Sequence, residues 1–159
     1  MTTKALYTGT FDPLHLGHLD IIERASQMFD LTVVLGCNPD KSPLFSDELR
    51  CRMLVENRIY KITADSRPIY RIAEEMGATV LVRGVRTAAD TNYEQTMATY
   101  NRMLGKIQLE TVILFSRPMY AHISSSAIKQ LIRMGEGVGK FVPENVNEII
   151  LETRARKLI

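Results

Sequence analysis

The sequence TGTFDPLHLGHLD (residues 8–20) lies between a short apolar segment, KALY (residues 4–7), and a helical pattern, IIERASQMF (residues 21–29). Its flanks identify it as the junction between a strand and a helix. The chain has only three histidines, and two of them, His15 and His18, are in this junction. The third, His122, directly precedes the segment ISSS. All the imidazoles are therefore close to one of two loops.

A phosphate site is the chemical function that such a junction suggests. The start of a helix presents unpaired N–H groups and the positive end of the helix dipole, and both attract phosphate. Gly9 and Gly17 let the backbone approach a ligand, while Thr10 and the two imidazoles supply hydrogen-bond donors. The alternative is that His15 and His18 are only a helix cap and a packing residue. The phosphate loops GxGxxG and GxxxxGK[ST] do not occur in the sequence.

The rest of the chain alternates strand patterns with helix patterns. The predicted strands are KALYT (4–8), LTVVLGC (31–37), ATVLVRG (78–84) and ETVILFS (110–116), with IYKIT (59–63) ambiguous. The predicted helices are HLDIIERASQMF (18–29), SDELRCRMLVENRIY (46–60), SRPIYRIAEEMG (66–77), DTNYEQTMATYNRML (90–104), SSSAIKQLIRM (124–134) and ENVNEIILETRARKL (144–158). This order predicts an α/β fold, a Rossmann-like doubly wound parallel sheet of about five strands with C-terminal helices, as one domain over residues 1–159. Ligands of such sheets bind at the carboxyl ends of the strands.

Several residues predict where these helices begin and end. Ser46 and Ser66 are expected caps of the second and third helices, with Pro68 in the first turn of the third. Gly77 is expected to stop the third helix, and Gly105 the fourth.

Composition and charge narrow the class of protein. The 159 residues are 45% hydrophobic and 24% charged, which fits one globular domain with a core. The net charge of +2 lacks the basic surplus of a nucleic-acid binder, so no nucleic acid is expected as a partner. Cys37 and Cys51 have no metal-like spacing and are expected to be reduced thiols. Without an export signal or a long apolar run, we expect a cytoplasmic protein that does not contact a membrane.

Two motifs together carry a family resemblance. GTFDP followed by HLGH resembles the first signature of the nucleotidyltransferase superfamily, and ISSSAIK (123–129) resembles its second. Alone, the serine triplet would be interpreted as a helix cap. With RGVRTAAD (83–90), NYE (92–94) and FVPENV (141–146), the chain resembles the phosphopantetheine adenylyltransferase family over nearly its whole length. The resemblance implies transfer of an adenylyl group from ATP to 4′-phosphopantetheine, giving dephospho-coenzyme A and pyrophosphate.

The resemblance also implies a set of site residues. The implied catalytic residues are Thr10, His18 and Lys41, with His18 as the group that stabilises the transition state. The implied ATP-binding residues are Thr10, Phe11, His18, Gly84, Val85, Arg86, Glu94, Tyr120, Ala121, His122, Ile123, Ser124, Ser125 and Ser126. The implied acceptor-binding residues are Thr10, Lys41, Ile69 and Arg83. The alternatives are a solvated loop lysine at Lys41 and surface salt bridges at Arg83 and Arg86.

The residue types fit phosphoryl-type chemistry. An acceptor phosphate is already anionic, so it needs positioning and charge neutralisation rather than a general base. Mg²⁺ is expected with the ATP, and the sequence offers no carboxylate cage for a permanently bound ion. The chain departs from the family pattern at His15, at Ala121 and His122, and over residues 59–77.

Three functions remain open on the sequence alone. The first is the adenylyltransferase already described. The second is a related nucleotidyltransferase with another phosphorylated acceptor, such as nicotinamide mononucleotide. The third is a nucleotide-binding regulatory module without turnover. The resemblance further implies a homohexamer, although Met97, Tyr100 and Met103 could instead cover the sheet.

Overall fold

The computed structural model describes residues 2–37, 42–59 and 61–159 and contains one parallel sheet of five strands. The strands are β1 (Lys4–Gly9), β2 (Asp30–Gly36), β3 (Ile62–Asp65), β4 (Val80–Val85) and β5 (Glu110–Phe115). Their order across the sheet is β3-β2-β1-β4-β5. The predicted α/β, Rossmann-like fold is thereby confirmed, and the ambiguous segment IYKIT contributes the beginning of β3.

Six α-helices and one short 3₁₀ helix complete the described part of the chain. They are α1 (Leu16–Met28), α2 (Asp47–Glu56), α3 (Ile69–Met76), α4 (Ala88–Leu104), the 3₁₀ turn Pro118–Tyr120, α5 (Ser125–Arg133) and α6 (Glu144–Ala155). None of the helices in these ranges is long and apolar enough to cross a membrane.

Both faces of the sheet are covered, as the apolar strand sequences predict. Side chains alternate along each strand, so Tyr7 of β1 points to one face and Leu6 to the other. The larger core joins β1, β2 and β4 to α1, α2, α5 and α6. A smaller core contains Leu6, Val34, Leu81 and Ile72 beneath α3, and α4 packs beside α3 against β4 and β5.

The predicted helix ends are mostly confirmed. Ser46 is the N-cap of α2, because its side chain accepts a hydrogen bond from the Leu49 N–H at 3.3 Å. Gly77 ends α3 in the left-handed region, with φ of 64°. Gly105 follows α4 in an extended conformation.

The predicted cap at Ser66 is wrong. Helix α3 begins at Ile69, and Pro68 occupies the N-cap position without a side-chain hydrogen bond. The preceding turn is closed instead by Asp65, whose carboxylate accepts from the Arg67 N–H at 2.8 Å. A carboxylate is a stronger acceptor than a hydroxyl.

The strand order places the ends of β1 and β4 at a crevice. β1 pairs in parallel with β2 on one side and with β4 on the other. The connection from β1 to β2 passes through α1, and the connection from β4 to β5 passes through α4, which packs beside α3 on the opposite face. The loops that follow β1 and β4 therefore diverge, as at the ligand-binding switch point of doubly wound sheets.

Gly77 gives a direct test of the left-handed helix end. A Cβ at Gly77 would meet no atom within 4 Å, so Gly77→Ala introduces backbone strain without a clash. We expect the free energy of unfolding to fall by about 1 kcal/mol, because an L-residue is disfavoured at this φ. Urea denaturation of the wild-type protein and the variant measures this difference in the free energy of unfolding.

Gly137→Ala is the matched control, since its Cβ also meets no atom within 4 Å and its φ lies outside the positive range. We expect stability to be unchanged or raised by less than about 1 kcal/mol. Equal destabilisation by both substitutions would contradict the conformational explanation.

Candidate active site

A cavity of about 420 Å³ opens at the carboxyl ends of β1 and β4. Ten of the site residues that the family resemblance implies line this cavity: Thr10, His18, Arg83, Gly84, Arg86, Tyr120, Ile123, Ser124, Ser125 and Ser126. The structure therefore brings together both motifs and the RGVR turn, although the two motifs are more than a hundred positions apart in the sequence. Gly9, His15 and Gly17 of the first motif also line the cavity, as the phosphate-site interpretation of that junction expected. Sequence reasoning missed the remaining lining residues, which are Tyr7, Thr8, Gly36 and Ser116.

The two histidines of the first motif cap helix α1 and also line the cavity. His15 is the N-cap, and its Nδ1 accepts from the His18 N–H at 3.2 Å. His18 Nδ1 accepts in return from the His15 N–H at 3.2 Å. The rings stack with centroids 3.5 Å apart. The capping and ligand-facing interpretations of these residues are thus compatible.

Burial keeps both imidazoles neutral. Desolvation lowers the pKa of His15 to about 3, and the charge of Arg86 adds to this effect. The pKa of His18 is also lowered well below its usual value, mainly by desolvation and then by repulsion from neighbouring His15, Arg86 and Arg83. Because each Nδ1 already accepts a hydrogen bond, the proton of each neutral ring is on Nε2. His18 can therefore donate a hydrogen bond without carrying charge.

Phe11 is buried in the core behind the cavity wall and packs against two residues that line the cavity. It has 0% of its surface exposed and is absent from the cavity lining, whereas its neighbour Thr10 lines the cavity. Its ring meets His18 edge-on, with centroids 5.0 Å apart, and also packs on Tyr7. Its φ of 47° is in the left-handed region that bulky residues avoid. Any contact of Phe11 with a ligand must therefore be through the main chain.

Arg83 is held by its neighbours at the cavity wall. Its Nε and Nη2 donate to the two oxygens of Glu94 at 2.8 and 2.7 Å, and its Nη1 donates to the Thr8 carbonyl at 2.9 Å. Burial is the largest single influence on the Arg83 pKa and lowers it, but the hydrogen bonds to Glu94, the charge of Glu94 and two nearby tyrosines, Tyr7 and Tyr93, together raise the pKa. Glu94 is buried and absent from the cavity lining, so the structure shows it acting on Arg83.

Gly84 and Val85 are the last two residues of β4, and Arg86 follows them directly. A Cβ at Gly84 would come within 2.9 Å of the Ile21 side chain, so a glycine allows β4 to approach α1. Val85 is fully buried and is not part of the lining. Arg86 forms a salt bridge with Asp90 at 3.4 Å, as the alternative interpretation expected, and also lines the cavity.

The serine triplet forms the beginning of helix α5. Ser124 is the N-cap and accepts from the Ala127 N–H at 3.1 Å, which confirms the capping interpretation. The Ser125 hydroxyl donates to the Pro13 carbonyl at 3.2 Å, so its proton is already engaged. Among the described residues, no oxygen accepts from the N–H groups of Ser125 and Ser126. The start of α5 can offer these two N–H groups to an anion.

Besides Phe11, Val85 and Glu94, four more implied residues lie away from the cavity lining or outside the described part of the chain. Ala121 and His122 are not part of the cavity lining, and the exposed His122 ring meets Phe141 edge-on at 6.1 Å. Ile69 packs against the smaller core under α3 and does not line the cavity. Lys41 lies outside the described residues.

Sequence reasoning missed a buried aspartate that ties the site together. Asp12 is 2% exposed, and its carboxylate accepts from the N–H groups of Leu44 and Phe45 at 3.0 and 2.9 Å. It also accepts from Lys129 Nζ of α5 at 2.8 Å. Asp12 belongs to the motif GTFDP and Lys129 to the motif ISSSAIK. An acidic residue in one motif and a basic residue in the other is the signal that could have revealed this pair.

A second buried carboxylate anchors the segment that leads to the serines. Asp20, on α1, has 1% of its side chain exposed and pairs with Arg24 and Arg117, both at 3.0 Å. Arg24 also donates to the Phe115 carbonyl at 2.8 Å. Helix α1 therefore holds the end of β5 from which Ser116 and Tyr120 extend into the cavity wall.

The described residues include no group of three or more His, Cys, Asp or Glu side chains placed to hold a metal ion. The cavity lining supplies hydroxyl oxygens from threonine and serine, cationic arginines and two imidazoles. Such a lining suits a polyanion more than a bare cation.

Comparisons with known proteins agree with this geometry. Residues 6–131 match the sequence family described as cytidylyltransferase-like. The chain is 41% identical over 147 residues to a phosphopantetheine adenylyltransferase of Streptococcus gordonii, covering 89% of each chain. It is 40% identical over 151 residues to that of Streptococcus pneumoniae strain 70585, covering 91% of this chain and 93% of the relative. A candidate nicotinate-nucleotide adenylyltransferase from Vibrio parahaemolyticus shares the fold, with a TM-score of 0.65, 17% identity and coverage of 96% and 93%.

The neutral state of His15 predicts how stability depends on pH. Its pKa in the folded chain is about 3 against 6.5 for an unperturbed histidine, so the unfolded chain binds more protons between these values. Stability should therefore fall as the pH falls below about 6.5, by about 2 kcal/mol at pH 5 for this group. We expect His15→Asn, which keeps a capping side chain, to lose less stability between pH 7.5 and 5. Urea denaturation at the two pH values tests this expectation, and parallel losses in both proteins would contradict it.

Proposed function

The chain belongs to the phosphopantetheine adenylyltransferase family within the cytidylyltransferase-like proteins, and from that membership we propose that it transfers an adenylyl group from ATP to 4′-phosphopantetheine. The products are dephospho-coenzyme A and pyrophosphate. It is thus a nucleotidyltransferase of coenzyme A biosynthesis. The observation that carries the proposal is the convergence of two helix starts, two imidazoles and two arginines on one cavity.

A triphosphate would find several complementary donors in this cavity. The N–H groups of Ser125 and Ser126 lie at the positive end of α5, and no described oxygen occupies them. Arg86 lines the wall between β4 and the serine segment and donates to the Ile123 carbonyl at 3.5 Å. We assign the β and γ phosphates to the α5 side for this reason. The Phe11 main chain is assigned to the nucleotide as well.

His18 is assigned to the reacting α-phosphate. Its neutral ring has the proton on Nε2, so it can donate to a phosphate oxygen as negative charge shifts during transfer. The stack on His15 and the edge contact with Phe11 fix the ring in place, so little reorganisation accompanies the reaction. Thr10 lines the same wall and supplies a second donor from its hydroxyl.

The acceptor phosphate is assigned to Arg83 and Lys41. Three of the five N–H bonds of Arg83 are engaged with Glu94 and Thr8, so two remain for a ligand. Glu94 fixes the plane of the guanidinium and so directs the remaining donors. Lys41 is assigned from the resemblance. Together the two cations would offset repulsion between the acceptor phosphate and ATP, and no general base is required.

Magnesium is proposed as a companion of the ATP. The hydroxyl oxygens of the lining suit a hard cation, but none of the carboxylates in the described part of the chain lines the cavity. When bound to the triphosphate, the ion supplies neutralisation of charge. The residues of this chain supply hydrogen bonds and orientation around it. We further propose that the reaction occurs in the cytoplasm, which agrees with the two free thiols, Cys37 and Cys51.

Helix α4 supports a proposal about assembly. Tyr100 and Met103 are 54% and 76% exposed, and of the three residues only Met97 is partly buried, so the alternative in which all three cover the sheet is wrong. Tyr93 and Leu104 of the same helix are also exposed, at 62% and 60%. Such an apolar surface is typical of a site where proteins associate. We propose that copies of this chain associate through α4 as the homohexamer that the resemblance implies.

The acceptor assignment gives the test of function. Pyrophosphate release from ATP should depend on 4′-phosphopantetheine and be far slower with pantetheine or nicotinamide mononucleotide. Lys41→Ala should weaken acceptor binding about tenfold or more, because it removes a charge-assisted contact to phosphate. Arg86→Ala should weaken ATP binding instead and leave acceptor binding within a few fold. Isothermal titration of both ligands against both variants measures the four affinities.

Pantetheine is the control ligand, because it lacks the phosphate that Lys41 is proposed to bind. Its weak binding should not change in Lys41→Ala. Faster turnover with nicotinamide mononucleotide would replace the proposed acceptor, and an ATP-specific loss in Lys41→Ala would overturn the assignment of Lys41.

The assembly proposal is tested by a charge on α4. Met103→Glu should shift the protein to smaller species at micromolar concentration, since a carboxylate would have to be buried between subunits. Met134→Glu, at a position 66% exposed after α5, is the matched control and should leave the mass unchanged. Multi-angle light scattering measures the mass of the assembly. A monomeric wild-type protein would contradict the proposal.

A further inference from the structure

Arg50 is a buried cation for which the motifs give no role. It is the fourth residue of α2 and has 2% of its side chain exposed. One terminal nitrogen, Nη1, donates to the Thr10 carbonyl at 2.6 Å and to the Gly36 carbonyl at 3.2 Å. The other, Nη2, pairs with Asp47, whose side chain is 59% exposed. One guanidinium therefore joins the end of β2 to the loop after β1.

Stability alone does not account for such a group. Removing a guanidinium from water is costly, and its counter-ion Asp47 is largely in solvent. Arg50 Nε also finds no hydrogen-bond partner among the described residues. A packed apolar side chain would avoid these costs. The hydrogen bonds that hold the Thr10 and Gly36 carbonyls in place therefore explain an arginine at this position better than stability does.

By holding a carbonyl, Arg50 also fixes the direction in which the N–H of the same peptide points. A trans peptide is planar, so its C=O and N–H point in opposite directions. In the Gly36–Cys37 peptide the carbonyl faces Arg50 and the Cys37 N–H donates to the Asp65 carbonyl of β3 at 3.1 Å. In the Thr10–Phe11 peptide the carbonyl faces Arg50 as well, and no described oxygen accepts from the Phe11 N–H.

We propose that Arg50 is a positioning residue that orients the Thr10–Phe11 peptide and sets its distance from the end of β2. The proposal rests on the proposed function, because Thr10 is assigned to the reaction and the chain after Gly36 leads to Lys41. The unpaired Phe11 N–H is then presented on the side away from Arg50. Arg50 also helps to hold Phe11 at its strained φ of 47°.

Two substitutions at Arg50 test the proposal through kinetics. We expect Arg50→Met to lower kcat at least ~30-fold while both KM values stay within ~3-fold, because misplaced groups lose rate more than binding. Arg50→Lys keeps the charge but not the planar fork, and we expect a loss of about tenfold. The lysine variant keeps the test usable if the methionine variant does not fold.

Arg52→Met is the matched control on the same helix. Arg52 forms surface contacts with Glu56 at 2.6 Å and Glu152 at 3.3 Å, and we expect its kcat within about twofold of wild type. Active-site titration counts the competent sites in every variant. A loss of rate that is explained by fewer sites, or a kcat within about threefold of wild type in both Arg50 variants, would overturn the proposal.

Amide NMR of the deuterated protein supplies a readout that does not depend on the acceptor. The amide resonances of Phe11 and Cys37 belong to the two peptides held by Arg50, and we expect both to shift in the Arg50 variants but not in Arg52→Met. Unchanged resonances would overturn the positioning role. If wild type and Arg52→Met both released no pyrophosphate with any acceptor, the proposed function would fail, while the amide comparison would still decide the role of Arg50.

Discussion

The parallel pairing of β1 with both β2 and β4 is the constraint on which the site depends. A strand paired on both sides has little freedom to move, so the residues that follow β1 begin from a fixed point. The helices of the adjacent connections lie on opposite faces, which leaves the crevice open to a ligand. Among the described residues, every group assigned to a phosphate is within a few residues of that crevice or reaches it through α5.

The loop after β1 is held by charges that themselves face away from the ligand. Asp12 fixes it to residues 44 and 45 and to Lys129 of α5, while Arg50 fixes it to the end of β2. Such an arrangement preorganises donors before a substrate binds, which is the main way a protein lowers the barrier of phosphoryl-type transfer. The imidazoles of His15 and His18 are also fixed before a substrate binds, because the same two side chains cap helix α1 and line the cavity.

Much of this arrangement follows from the sequence because its signals are local. The apolar strands, the helix cap at Ser46 and the left-handed end at Gly77 depend on residues within a few positions of each other. The Ser66 prediction failed because a neighbouring carboxylate, Asp65, competed for the same turn. The role of Phe11 was only half predicted, since its burial under the cavity depends on Tyr7 and His18 and no local pattern encodes it.

Long-range partners were the least predictable part of the site. The contacts Asp12 to Lys129 and Arg83 to Glu94 join separate elements, and a single sequence gives no measure of which acid meets which base. Arg50 was hidden for another reason, because its acceptors are main-chain carbonyls that have no sequence signature. The family resemblance implies a nucleotide contact for Glu94, whereas the geometry shows this carboxylate bonded to Arg83 and absent from the cavity lining.

The open edge of the sheet at β5 has a consequence for the newly made chain. β5 pairs with β4 on one side only, so its other row of backbone groups is a template for a foreign strand. The opposite edge strand, β3, has four residues and offers a shorter template than the six of β5. At β5 a single charged pair, Glu110 with Arg102, discourages such pairing near the beginning of the strand. The free edge of a newly made chain can therefore pair with the same strand of another copy, so rapid synthesis would favour aggregation.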